Sequence, residues 1–133
     1  MKQRMSALMT EENLTYGNLS HTYNRRLAQE LAKWGKSFPE GEALNLKLFE
    51  AYFAEGRNLA DPVVLLEVAE AAGLDRDAAE EMIRKRSFRD AVDIDWKRAH
   101  ELGVTGVPTF VFGNRGLVGA QPYEALVQLL QLD

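Results

Sequence analysis

"GVTGVPTFVFGNRGLVGAQPYEALVQLL", residues 103–130, is where the apolar period of this chain changes. Before Gly103 apolar residues recur at helical spacing; after it the period falls to two. Thr109-Phe-Val-Phe112 reads as a strand with Phe110 and Phe112 on one face and Val111 on the other. Both faces are apolar, so the strand is expected to be covered on both sides. Gly113-Asn114-Arg115-Gly116 reads as a turn whose glycines can take positive φ. Leu117–Ala120 is the expected returning strand, and Gln121-Pro122 opens a last helix with Tyr123, Leu126, Val127 and Leu130 inward. Pro108 stands at the entrance of the first strand, where its missing N–H removes no ladder bond.

Upstream, from about Ser20 to Leu102, the spacing predicts a series of helices. Tyr23, Leu27, Leu31 and Trp34 share a face, and Gly35 stands where a left-handed C-cap would. After the break at Phe38–Gly41, Leu44, Leu48, Ala51 and Tyr52 line one side of a helix. Leu46, Phe49 and Phe53 line another, so that helix is expected to be buried on more than one side. Asp61-Pro62 is a start signal: aspartate caps free N–H groups, and proline fits the first helical position. Val64, Leu65, Val68 and Ala72 are the expected core face there, with Gly73 as the stop. Asp75 caps a helix bearing Ala78, Met82 and Ile83. Ser87-x-x-Asp90 resembles a capping box opening a helix with Phe88, Ala91, Val92, Ala99 and Leu102. Residues 1–13 are expected to be helical, with Met5, Leu8 and Met9 as the apolar face.

Composition narrows the chemistry. With 46% hydrophobic and 27% charged residues the chain is an ordinary globular sequence rather than a disordered one. A net charge of −4 argues against nucleic-acid binding, which calls for a basic patch. No run reaches the ~18 apolar residues of a membrane span. The start "MKQRMSALMT" has no continuous apolar core of the kind a secretory signal needs, so a cytoplasmic protein is expected. There is no cysteine, which excludes disulfides, thiolate metal sites and thiol redox chemistry within these residues. The two histidines, His21 and His100, fall in separate predicted helices, so neither a metal site nor a cofactor is expected.

The C-terminal stretch resembles the second half of the DsbA-like branch of the thioredoxin superfamily. That branch includes disulfide oxidoreductases, 2-hydroxychromene-2-carboxylate isomerases and kappa-class glutathione transferases. "LFEAYFAEGRNLADPVVLLEVAEAAGLD" (48–75) is similar to the branch's helical insertion, and "RAHELGVTGVPTFVF" (98–112) to its run into the proline loop. The resemblance covers about residues 20–131. It implies an α/β, mostly α, fold: a truncated thioredoxin-like domain with helical residues 1–102 and a C-terminal β-β-α half over 103–133. It also implies a cis Val107–Pro108 bond, although only about 5–6% of X-Pro bonds are cis and the residues alone also suit a simple strand start. Thr105, Gly106, Val107 and Pro108 are then the expected substrate-binding residues, with the Val107 backbone facing an extended ligand.

The family's reacting residue, in a Cys-x-x-Cys pair or a serine, lies at the turn after the first strand of a β-α-β half. Residues 1–13 look like the connection that follows that half, so the chain is expected to begin after the catalytic element. No catalytic residue is assigned. Ser6, Ser20, Ser37 and Ser87 have no His–Asp companions, and Glu80, Glu81, Asp93 and Asp95 read as solvated helix faces. Trp34 and Trp96 read as packing residues. Two functions stay open. One is a protein of disulfide-oxidoreductase or isomerase family that is inactive as this chain. The other is a non-catalytic module holding a peptide or small apolar ligand at the proline loop. A homodimer is expected through the strand at 109–112, whose free edge is a template for a second copy.

Overall fold

The computed structural model describes residues 2–17 and 24–131. Ser20, His21 and Tyr23, assigned above to the first long helix, lie outside the described residues. In chain order the elements are α1 (Lys2–Glu11), α2 (Arg26–Gly35), α3 (Gly41–Phe49) running into a π-helical turn (Glu50–Ala54), α4 (Pro62–Ala71), α5 (Arg76–Lys85), α6 (Arg89–Glu101), β1 (Thr109–Phe112), β2 (Arg115–Val118) and α7 (Tyr123–Gln131). They fall into two compact units, Met1–Val92 and Asp93–Asp133.

The first unit is helical. Leu31 of α2, Leu44 of α3 and Leu65 of α4 are fully buried, and Ala79, Met82 and Ile83 of α5 join them. The expected face Leu44–Leu48–Ala51–Tyr52 is buried throughout. Asp61 caps α4 by accepting the Val63 N–H at 2.9 Å with Pro62 next in line, and Asp75 caps α5 by accepting from Asp77 at 3.0 Å. Gly73, at φ 95°, ends the α4 segment as expected.

Three helical expectations fail in the first unit. Gly35 is not a left-handed cap: α2 runs through it with right-handed geometry to Lys36. Glycine serves there for proximity instead, because a Cβ would sit 2.6 Å from Leu44 Cδ2. The second face of α3 is not buried either, with Leu46 64% and Phe49 60% exposed. The core of this unit lies on one side of that helix only. Nor does Ser87 open α6 as a cap: the helix starts at Arg89 and its first carbonyl is that of Phe88, which accepts the Val92 N–H at 3.1 Å, while the Ser87 N–H closes α5 on Met82 O at 3.2 Å.

The second unit holds α6 beyond Val92, a two-stranded antiparallel sheet and α7. Thr109 pairs with Val118 and Phe112 with Arg115, so the turn is Gly113–Asn114 and not four residues long. Gly113, at φ 64°, supplies the left-handed backbone that a two-residue hairpin needs. The shorter turn moves the returning strand to 115–118, two residues ahead of the expectation. Phe110, Val111 and Phe112 are all partly exposed, contrary to the expected double cover. Among the described residues the sheet has no third strand, and α7 is the helix packed on it. The inward face of α7 is also rotated from the expected one. Leu129 is buried and Leu126 and Val127 half-buried, while Tyr123 and Leu130 are exposed. Leu102, expected inward on α6, is exposed as well.

Candidate functional site: the proline loop

Seven residues, 102–108, join the end of α6 to β1, and the last four are the site marked by the sequence. Helix α6 closes with the Val104 N–H on Ala99 O at 3.0 Å and Gly103 at φ 79°. Beyond it Thr105, Gly106, Val107 and Pro108 form one contiguous turn, with the Val107–Pro108 peptide cis. The turn is clipped at two points. Thr109 Oγ1 donates to Gly106 O at 2.5 Å, and the Gly119 N–H donates to Pro108 O at 2.7 Å. The second bond extends the hairpin by one rung. It uses the carbonyl that proline keeps rather than the donor it lacks.

Between the two clips Val107 is the apex, and its side chain is 87% exposed. Its N–H donates and its C=O accepts no hydrogen bond among the described residues. Gly106 is half-buried under β2: a Cβ there would stand 3.5 Å from Val118 Cγ1, an ordinary contact. Thr105 and the Pro108 ring are exposed. All four expected binding residues thus share one turn, which offers a free amide and carbonyl flanked by apolar surface.

The turn Thr105–Pro108 itself holds no histidine, cysteine or carboxylate. His100 is exposed on α6, as are Asp93 and Asp95. Glu81 is exposed on α5, where the Lys85 ammonium at 2.7 Å holds its carboxyl below the usual glutamate range. Trp34 packs against the core and meets Phe38 edge-on at 4.8 Å, whereas Trp96 is exposed. Among the described residues no group of three or more His, Asp or Glu could hold a metal, and no helix is long and apolar enough to cross a membrane.

Two features escaped the sequence reading. Glu30, only 1% exposed, is held by Arg26 and Arg86. The Arg26–Glu30 spacing of four was a visible signal, but Arg86 lies 56 residues further on, and no local pattern announced it. The second is an open cleft on the outer face of α3, lined by Leu46 and Phe49.

A family model described as DSBA-like thioredoxin domain matches residues 1–131. The chain is 32% identical over 109 residues to the uncharacterized protein YwbO of Bacillus subtilis (strain 168), covering 80% of this chain and 54% of that protein. It is 33% identical over 118 residues to the ClpXP adapter protein SpxH of Shouchella clausii (strain KSM-K16), covering 84% of this chain and 39% of SpxH. A second ClpXP adapter protein SpxH, from Halalkalibacterium halodurans, is 30% identical over 92 residues. The chain therefore spans about half the length, or less, of the curated relatives it matches. A mostly helical chain that ends in a cis-proline turn, a β-hairpin and a final helix, matched almost end to end by that model, belongs to the DSBA-like thioredoxin domain family.

Proposed function

We propose that these residues act by binding rather than by thiol exchange, holding an extended peptide or a small apolar ligand at Thr105–Pro108. The observation that carries this is Val107: an exposed residue with a free amide and carbonyl, fixed between two hydrogen-bonded neighbours. An extended segment can pair with such a backbone unit as it would with a strand edge, neighbouring side chains supplying selectivity. The absence of cysteine from all 133 residues supports a non-redox role for this chain. So do two relatives named ClpXP adapter proteins. Extended apolar peptides should raise the melting temperature of the chain. Val107→Pro, which deletes the amide, should abolish the shift without lowering the unliganded melting temperature by more than a few degrees. Insulin reduction should be at background. Measurable insulin turnover, or no thermal shift with any extended peptide, would refute this function.

A second function is favoured by the family itself and by the greater length of the relatives. Within a longer polypeptide bearing Cys-x-x-Cys or a reactive serine, the same turn would hold the substrate of a disulfide oxidoreductase or of a 2-hydroxychromene-2-carboxylate isomerase-like enzyme. The reading frame upstream of the Met1 codon separates the two chemistries.

We also propose that β1 pairs antiparallel with β1 of a second copy. In the described sheet β1 bonds to β2 along one edge only, and Phe110, Val111 and Phe112 are partly exposed. A two-stranded sheet is marginal in isolation, and a free apolar edge recruits another strand. Light scattering should give twice the 15.0 kDa chain mass at micromolar concentration, and Val111→Pro should give the single mass. A well-folded monomer before substitution would rule the pairing out.

A further inference from the structure

Leu46 and Phe49, exposed on the outer face of α3, line an open cleft of about 820 Å³ with Phe53 and Leu14. The cleft lies wholly within the first unit, and its position there does not depend on the proline loop.

Its far wall is built by an unusual helix ending. In the π-helical turn the Glu55 N–H bonds Glu50 O at 3.0 Å, and Arg57 reaches back to Ala51 O at 2.8 Å. An α-helix would have used the Arg57 N–H on Phe53 O. That carbonyl is left over, and the Gly17 N–H takes it at 2.6 Å. Only glycine allows this approach, because a Cβ at residue 17 would stand 2.2 Å from Ala54 O. The bond holds the segment after α1 against the helix, so that Leu14 faces the Phe49–Phe53 pair, whose rings stack at 6.2 Å and 21°. π turns inside helices frequently mark functional sites.

The volume lies within the ~300–1,000 Å³ of ordinary ligand sites, but the lining is wrong for a compact ligand. An enclosed pocket buries its walls, whereas Leu14, Leu46 and Phe49 are each more than half exposed. A trough of this kind suits a chain laid along it. Its charges have one sign: the ionisable residues lining it are Glu50 and Glu55, and Glu11 and Glu12 precede the lining residue Asn13. Glu55 lies 4.0 Å from Arg57, while Glu50 has no ion pair among the described residues. We propose that this cleft binds an apolar peptide segment flanked by lysine or arginine, as one face of a basic amphipathic helix presents.

The test uses the full chain and a fluorescein-labelled Leu/Lys helix of about 15 residues, long enough for marginal helicity, with its Leu/Glu counterpart as control. Fluorescence anisotropy at low salt should show the basic peptide binding at least about tenfold more tightly than the acidic one. Phe49→Asp and Leu46→Asp, both at exposed positions, should each keep the helical spectrum and weaken binding about tenfold. Glu50→Gln with Glu55→Gln should weaken it about threefold and flatten its salt dependence. Val107→Pro should leave it unchanged. The proposal fails if both peptides bind equally or if neither Asp variant changes the affinity. It also fails if Val107→Pro alone abolishes binding, which would place the peptide at the proline loop. Light scattering supplies the last arm: a dimer of the free chain broken by Phe49→Asp would mean that a second copy fills the cleft, and the proposal falls.

Discussion

Arg86 ends α5 with a left-handed backbone, φ 53°, and lays its guanidinium on the buried carboxylate of Glu30, Nε to Oε1 at 2.8 Å and Nη2 to Oε2 at 2.5 Å. Residues 86 and 87 close the helix as a Schellman pair usually does with glycine, their N–H groups reaching Ile83 O and Met82 O. Arginine in glycine's place accepts a steric cost of about 1 kcal/mol and gains a bidentate, charge-assisted bond to α2. Arg26 completes the triad at 3.2 Å on Oε2, and its Nη2 also donates to Arg89 O at 2.8 Å. One buried carboxylate thus ties α2 to the end of α5 and, through Arg26, to the start of α6.

Removing Glu30 should therefore cost more than an ordinary surface ion pair. Glu30→Gln is expected to destabilise by ~1–3 kcal/mol, below the full penalty of a dry buried pair because Arg86 is itself partly exposed. Arg86→Gly should cost less than Arg86→Ala, since glycine relieves the backbone at φ 53° while alanine does not. Urea melts of Glu30→Gln, Arg86→Ala and the variant carrying both measure the coupling. A coupling energy near zero would show that the bidentate contact contributes nothing.

Acid should weaken the same contact. The Arg86 guanidinium, bonded to Glu30, holds that carboxyl below its usual range; burial opposes the effect and Arg26 adds to it. A carboxylate depressed in the folded state contributes stability that is fully present above its unfolded pKa, ~4.3, and is lost as pH falls through the lower folded value. The melting temperature should hold between pH 7 and about 5 on this account and fall below it. In Glu30→Gln the acid slope should be shallower. Equal slopes in the two proteins would assign the acid loss to other carboxylates.

The turn from α2 into α3 depends on two glycines without left-handed backbones. A Cβ on Gly41 would meet Gly35 O at 2.6 Å, a backbone atom that cannot swing aside. A Cβ on Gly35 would meet the end of the Leu44 side chain at the same distance. Gly41→Ala should accordingly cost ~2–3 kcal/mol by calorimetry or urea melt, and Gly35→Ala less if Leu44 can change rotamer. The reverse order would mean that the buried Leu44 is the stiffer neighbour.

Within the helical core, Leu65→Ala should cost ~3–4 kcal/mol, because the side chain is fully buried and its neighbours on α2, α3 and α5 are fixed in helices. Asp61→Ala removes one cap acceptor at the start of the same helix and should cost only ~1 kcal/mol. Comparable losses at the two sites would contradict this assignment of the core.

Much of this molecule is legible because its signals are local. Asp61-Pro62 and Asp75 start helices through bonds that span two residues, and glycines 73 and 103 stop segments through their own φ. The proline loop is legible for the same reason: Thr105–Pro108 is a contiguous turn clipped by Thr109 and Gly119. Expectations failed where an answer required knowing what stands opposite. Leu46, Phe49, Phe110 and Leu130 are as apolar as any core residue, and periodicity assigned them to faces without saying whether anything would cover those faces. Gly35 has a cap's place in the sequence, yet what requires glycine there is the side chain of Leu44 across the turn.

By itself, then, the chain's order of residues determined the helices, the hairpin and the family to which they belong, since caps, periods and turns act over a few neighbours. Long-range packing alone brings Arg86 onto Glu30, gives the freed Phe53 carbonyl to the Gly17 N–H, and leaves one side of α3 open. Those outcomes join positions tens of residues apart. They depend on which groups folding leaves without a partner, and no local pattern carries that information.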